Sequence, residues 1–90
     1  MIKKDLVSRI AYKTGRPQDE VGNFVEVFMN EVKSELIAGS EVTLRGFGTF
    51  YPKRRAEKIA RDIRKGISIV VPEHHIPAFK PASEFKMQVK

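Results

Sequence analysis

Ninety residues without a single cysteine exclude a disulfide scaffold, a thiol nucleophile and a cysteine-based zinc site, and leave room for one domain with a small core. The formal net charge of +6 is unevenly placed: residues 1–50 carry seven basic and seven acidic side chains, whereas residues 51–90 carry ten basic and four acidic. A neutral half joined to a basic half predicts a scaffold that bears a polyanion-binding surface.

A core this small leads us to expect an oligomer that supplies the missing burial. Lys3, Lys4, Asp5 and Arg9 interrupt the apolar positions of residues 1–15, so this stretch does not read as a signal peptide. The longest apolar run is a few residues, far short of a span of roughly 20. An intracellular location is expected.

Residues 2–14 read as a helix, with Ile2, Leu6 and Ile10 four apart, Val7 and Ala11 widening the stripe, and Gly15 as the stop. A second helix starts at Arg16-Pro17-Gln18-Asp19-Glu20, where proline suits the first turn and the two acids meet the positive end of the helix dipole. It runs to about Ala38 and stops at Gly39. Its apolar residues Val21, Phe24, Val25, Phe28, Val32 and Leu36, extended by Val27, Met29 and Ile37, cover more than one face. That breadth predicts two partners, the first helix and a second subunit, over an ordinary buried core helix.

Val42-Thr43-Leu44 alternates as a half-buried strand does. Arg45-Gly46-Phe47-Gly48-Thr49-Phe50 follows, where two glycines around an aromatic allow a tight turn and the close approach of another backbone, and Phe47 and Phe50 are expected in the core. No third glycine or following helix makes this a dinucleotide fingerprint.

The basic stretch is Lys53–Lys65, in which seven of thirteen residues are Lys or Arg, enough to read as a nucleic-acid surface as readily as a solvated helix face. At helical spacing Ala56, Ile59, Ala60 and Ile63 share a face, and Glu57–Arg61 is a favourable pair. At period two, Arg55, Ile59, Arg61, Ile63 and Lys65 fall on one side and Arg54, Ala56, Lys58, Ala60 and Arg64 on the other. Residues 67–71 look like a returning strand, which would make a hairpin with its tip near Ile63–Gly66. Propensity leaves helix and hairpin both open.

Pro72, Pro77 and Pro81 keep the next stretch extended. A short helix is expected at Ala82-Ser83-Glu84, capped by Ser83 and docked through Phe85 and Val89, with Lys86 and Lys90 outward.

The motifs Gly46-Phe47-Gly48-Thr49-Phe50 and Ile76-Pro77-Ala78-Phe79-Lys80-Pro81, at this separation, resemble those of the HU family of bacterial histone-like DNA-bending proteins, with integration host factor as kin. The resemblance covers the whole chain. It implies an α+β fold with two N-terminal helices, a three-stranded antiparallel sheet, a long β-ribbon arm at about 53–72 and a short C-terminal helix, in a single domain 1–90 that forms an intertwined dimer. It implies non-specific or weakly specific binding and bending of double-stranded DNA: two basic arms in the minor groove, an apolar residue at each tip wedged between base pairs, and a preference for bent or nicked DNA. A cytoplasmic, nucleoid-associated location goes with this, as do a homodimer or a heterodimer with a paralogue, no membrane, no cofactor and no enzymatic activity.

Carried onto this chain, the resemblance assigns Arg55, Lys58 and Arg61 to phosphate contact and minor-groove insertion and Ile63 to the wedge. Lys53, Arg54, Arg64 and Lys65 add positive charge along the arm. Lys3, Lys80 and Lys86 match basic positions that meet flanking DNA, and Gly46 and Gly48 serve the turn first and backbone contact second. The family usually carries proline at the tip within Arg-Asn-Pro, preceded by glycine. Here the run is Ala60-Arg61-Asp62-Ile63. Ile is a sound wedge, but without proline's fixed backbone a more mobile tip is expected, and Asp62 sets a negative charge near the phosphates.

No metal site is expected: His74 and His75 are adjacent and point to opposite sides of an extended chain, with no Cys nearby. No Ser–His–acid spacing or phosphate loop suggests catalysis. The alternative reading is a structural dimer whose basic arm docks RNA or an acidic protein. The arm lacks stacking aromatics, which disfavours single-stranded RNA.

Overall fold

The computed structural model describes residues Met1–Lys90, as two compact units, Met1–Ser34 and Glu35–Lys90.

In the first unit, helix α1 spans Lys3–Thr14. Its start is fastened by the Asp5 carboxylate, which accepts the Ile2 N–H at 3.0 Å, and it ends at Gly15, whose φ of 70° turns the chain while its N–H donates to the Ala11 carbonyl at 2.9 Å. Helix α2 spans Gln18–Ile37. Pro17 stands just before it, lending its carbonyl to the Val21 N–H at 3.1 Å. Val7, Ala11 and Val21 are buried and form the core, with Ile10 and Val25 packed against it. The breadth of α2's apolar surface is real: Phe24 is 63% exposed and Phe28 48%.

The second unit begins with the last turn of α2. Gly39 (φ 87°) donates to the Leu36 carbonyl at 3.0 Å and Ser40 to that of Glu35 at 2.9 Å, the pair of bonds that closes a helix through a left-handed glycine. Strands β1 (Val42–Leu44), β2 (Gly48–Arg55), β3 (Lys58–Asp62), β4 (Ile67–Val71) and β5 (His74–Pro81) follow. They make an antiparallel three-stranded sheet in the order β1-β2-β5 and a separate β3-β4 hairpin. The basic stretch is therefore strand, and returning β-branched partners override its helical propensity. Between Leu44 and Gly48 the chain reverses through a turn closed by the Phe47 N–H on the Leu44 carbonyl at 2.9 Å, with Gly46 at φ 80°.

Helix α3 covers Ser83–Gln88. Two expectations are corrected here. Ser83 is the first helical residue and makes no cap; Ala82 occupies that position, and its N–H is taken instead by the Phe47 carbonyl at 2.9 Å. Val89 lies past the helix in extended backbone and is 66% exposed, so docking falls to Phe85 alone. The Phe85 ring stacks on Phe47 at 5.4 Å, and Phe79 joins Phe47 at 5.1 Å and Phe50 at 4.7 Å, a four-ring cluster that seats the turn and helix on the sheet. Phe47 is nonetheless exposed, at 43%, and Phe50 only partly buried, so neither takes the core position expected: the rings pack on one another at the sheet surface.

Candidate nucleic-acid interface

Period two sorts the sheet into two chemically distinct faces. In register Phe50 faces Phe79, Pro52 faces Pro77 and Arg54 faces His75, and Val42 lies opposite Phe50 across β1. This face is apolar over most of its length. The other carries Thr43 opposite Thr49, Thr49 opposite Lys80, Tyr51 opposite Ala78, Lys53 opposite Ile76 and Arg55 opposite His74. A 3.3 Å contact between the Thr43 and Thr49 hydroxyls marks it as one surface. Alternation thus puts Lys53, Arg55 and Lys80 together and Arg54 behind them.

Pro52 and Pro77 sit opposite each other. Neither has an N–H to give, so this pair exchanges no ladder bond. The pairing of β1 ends at Val42–Phe50, before Pro52, so no neighbouring strand loses a donor there.

Gly46, Gly48 and Lys80 line one open depression of about 290 Å³, with Thr43, Thr49 and Ser83. Gly48 is required by packing: a Cβ there would lie 2.5 Å from the Lys80 carbonyl oxygen and 2.6 Å from the Phe79 ring. Backbone approach is what the glycine permits, and the approaching backbone is β5.

The β2-β5 ladder closes at Arg55–His74, and the β3-β4 ladder opens at Lys58–Val71. Ala56-Glu57 and Pro72-Glu73 lie between them, so the arm is jointed. Arg54 braces the joint as a two-pronged fork on Glu73, with Nε to Oε1 at 2.7 Å and Nη2 to Oε2 at 3.1 Å. These bonds hold the Glu73 carboxyl below the usual carboxylate range and push the Arg54 guanidinium higher still. Next to it, the His74 Nδ1 lies 2.9 Å from the Pro72 carbonyl oxygen.

Beyond the joint, Lys58, Ala60 and Asp62 share a face with Val71, Ile69 and Ile67, and Ile59 and Arg61 share the other with Val70 and Ser68. Lys58 and Arg61 therefore lie on opposite faces of the hairpin. The tip is the four-residue loop Ile63-Arg64-Lys65-Gly66. Ile63 is 91% exposed. One Asp62 carboxylate oxygen accepts the N–H groups of Arg64 at 3.0 Å and Lys65 at 3.3 Å, and the Asp62 carbonyl accepts that of Gly66 at 2.9 Å.

Of the remaining candidates, Lys86 stands exposed on α3. Lys3, in the helical unit, donates to Glu26, and that hydrogen bond and charge hold the Glu26 carboxyl below its ordinary range. His74 and His75 occupy opposite faces of β5. Sequence reading missed Glu73 as the partner of Arg54, because the two are far apart in the chain, and Asp62 as a loop builder. The second was legible: an aspartate opening a loop that ends in glycine is a turn signature. No helix is long and apolar enough to cross a membrane.

A basic strand face that leads towards a hairpin with an exposed apolar tip is a surface suited to a polyanion. Residues 1–90 match the family model described as bacterial DNA-binding protein, and the chain belongs to this family. It is 34% identical to the DNA-binding protein HU of Xylella fastidiosa over 90 residues, which cover 100% of this chain and 96% of the relative. It is 36% identical to the prophage-derived DNA-binding protein HU 2 of Bacillus subtilis, covering 100% and 98%. Integration host factor subunit beta of Paraburkholderia phymatum is 32% identical, with 99% of this chain and 84% of the relative covered. Among solved structures, a cocrystal of Anabaena HU with DNA superposes with a TM-score of 0.94 at 25% identity, covering 99% of this chain and 97% of that one. HU from Thermotoga maritima superposes with a TM-score of 0.70 at 26% identity, with both chains fully covered.

Proposed function

We propose that two copies of this chain join through the open apolar surface of α2 and grip double-stranded DNA with two basic arms, each laid in the minor groove with Ile63 wedged between base pairs. The observation that carries this reading is the sorting of Lys53 and Arg55 onto one strand face that leads to a 91% exposed isoleucine. Lys53, Arg55, Lys58, Arg61, Arg64 and Lys65 meet phosphates and groove. Lys80 and Lys86, with the backbone at Gly46 and Gly48, receive flanking DNA, as does Lys3 once DNA draws it from Glu26. Arg54 braces the arm in place of touching DNA. All 90 residues act as one functional module, nucleoid-associated in the bacterial cytoplasm, that shapes DNA and performs no reaction of its own.

Such contacts position the protein without reading sequence, and the minor groove distinguishes little beyond A·T from G·C. Weak sequence preference and strong salt dependence follow, with a loss of about 10³-fold in affinity between roughly 50 and 200 mM salt. Nicked or pre-bent duplex is preferred, because part of a deformation cost of a few kcal/mol is already met. Electrophoretic mobility of nicked duplex, linear duplex and RNA at these two salt concentrations tests the reading. Nicked duplex is expected to bind best. Absence of duplex binding at low salt sinks it, and tighter binding of RNA favours the RNA-docking alternative.

A further inference from the structure

We propose that Asp62 is the positioning residue of the wedge: it builds the tip loop in advance, so that Ile63 is presented to the base stack without a proline to fix the backbone. Three of the loop's four backbone N–H groups converge on this one residue, those of Arg64 and Lys65 on its side chain and that of Gly66 on its carbonyl. Gly66, at φ 64°, supplies the left-handed conformation that lets the chain re-enter β4 at Ile67, the register partner of Asp62. Nothing lies within 4 Å of where a Gly66 Cβ would stand, so its requirement is conformational, unlike that of Gly48. Asp62 itself is half-buried beside the loop, and Ile63 projects next to it.

The same arrangement offsets part of the charge that the sequence makes awkward. A free carboxylate near the phosphates would repel them. Here one of its oxygens faces backbone amides, and the Arg64 and Lys65 whose amides it holds are themselves cations. The acid is therefore an acceptor that organises two phosphate-seeking side chains and one apolar wedge in a single turn. An ordered loop loses less freedom on insertion, so the benefit falls on bending more than on the first, electrostatic encounter.

The inference rests on the wedge reading of Ile63, and the experiment separates the two. Bending is read by energy transfer between the ends of a short duplex, and affinity by titration at low salt, for the native dimer and for Asp62→Asn, Asp62→Ala and Ile63→Ala. Asn keeps an acceptor oxygen and drops the charge, and Ala drops both. Both changes remove a negative charge near DNA, so affinity rises by roughly two- to fivefold in each. Asp62→Asn retains native bending, whereas Asp62→Ala lowers the ratio of bent to unbent complex by about fivefold, and without DNA its Arg64 and Lys65 amides exchange faster. Equal bending by the Asn and Ala variants overturns the inference, because charge alone would then be the role of Asp62. Reduced bending in Ile63→Ala together with native bending in Asp62→Ala also overturns it and leaves the wedge standing. Native bending in Ile63→Ala defeats the wedge reading and the role of Asp62 with it.

Discussion

The helical unit and the arm are each incomplete, and what each lacks differs. Met1–Ser34 has a small core in Val7, Ala11 and Val21 and leaves Phe24, Val27 and Phe28 about half exposed or more. Its unmet need is apolar burial, which another protein surface supplies. The β3-β4 hairpin buries no residue and exposes Ile59, Ile63 and Val70 among bases. Its unmet need is negative charge, which a polyanion supplies. Salt acts on the two in opposite directions: it screens the second and leaves the first intact or strengthened. High salt should therefore strip DNA from the arms and leave the assembled body.

The helical unit is most vulnerable at α2. Replacing both Phe24 and Phe28 by Asp should abolish self-association, because truncating a buried phenylalanine costs about 3–5 kcal/mol and a buried charge adds to that. Sedimentation velocity should then show a monomer, with the thermal transition lost or greatly lowered and DNA affinity reduced with the second arm. A dimer with the native melting midpoint would show that this surface is not the one completed. A smaller effect is expected from Gly48→Ala. The added Cβ meets a backbone carbonyl that cannot swing away, so a loss of about 1–3 kcal/mol is expected, read as a lower thermal midpoint. Its salt slope for DNA should match the native value, because a backbone contact at Gly48 neutralises no phosphate; a changed slope would show that the substitution displaces the basic strand face.

Legibility in the sequence followed the range of the interactions. Both long helices could be read from four-residue spacing and glycine stops, because those signals are local. Spacing alone leaves the arm open: Lys53–Lys65 fits a helix by propensity, Ile67–Val71 offers a returning strand, and it is the resemblance carried by the two flanking motifs that decides for the β-ribbon at about 53–72. Period two, once the strand is known, sorts Lys53 and Arg55 from Arg54. What it omits is Glu73, nineteen positions from Arg54, which converts one of seven seemingly equal bases into a brace. At the C-terminus, Ser83 looked like a cap because caps are read from side-chain type, yet the Phe47 carbonyl had already reached Ala82 through the tertiary fold.

That division among the arm's arginines gives the finest test. Arg55→Ala should lower the slope of log affinity against log salt by about 0.9 for each phosphate it no longer neutralises, hence by about twice that in a dimer. Arg54→Ala should leave the slope nearly unchanged, since its guanidinium is engaged by Glu73. Both groups of this pair are half exposed or more, so its effect on stability is small, but its titration is specific. Glu73 has a depressed pKa through the Arg54 hydrogen bonds. A depressed carboxylate contributes its stabilisation above the ordinary carboxylate range and loses it as pH falls through the lowered value. The brace therefore holds at neutral and mildly acid pH and opens only in stronger acid. Carbon-13 titration of the Glu73 carboxyl should show a midpoint below that of an unpaired glutamate, moving up to the ordinary value in Arg54→Ala. An unmoved midpoint, or an Arg54→Ala salt slope as reduced as that of Arg55→Ala, would return Arg54 to the DNA-facing set and erase the distinction between the two faces of the arm.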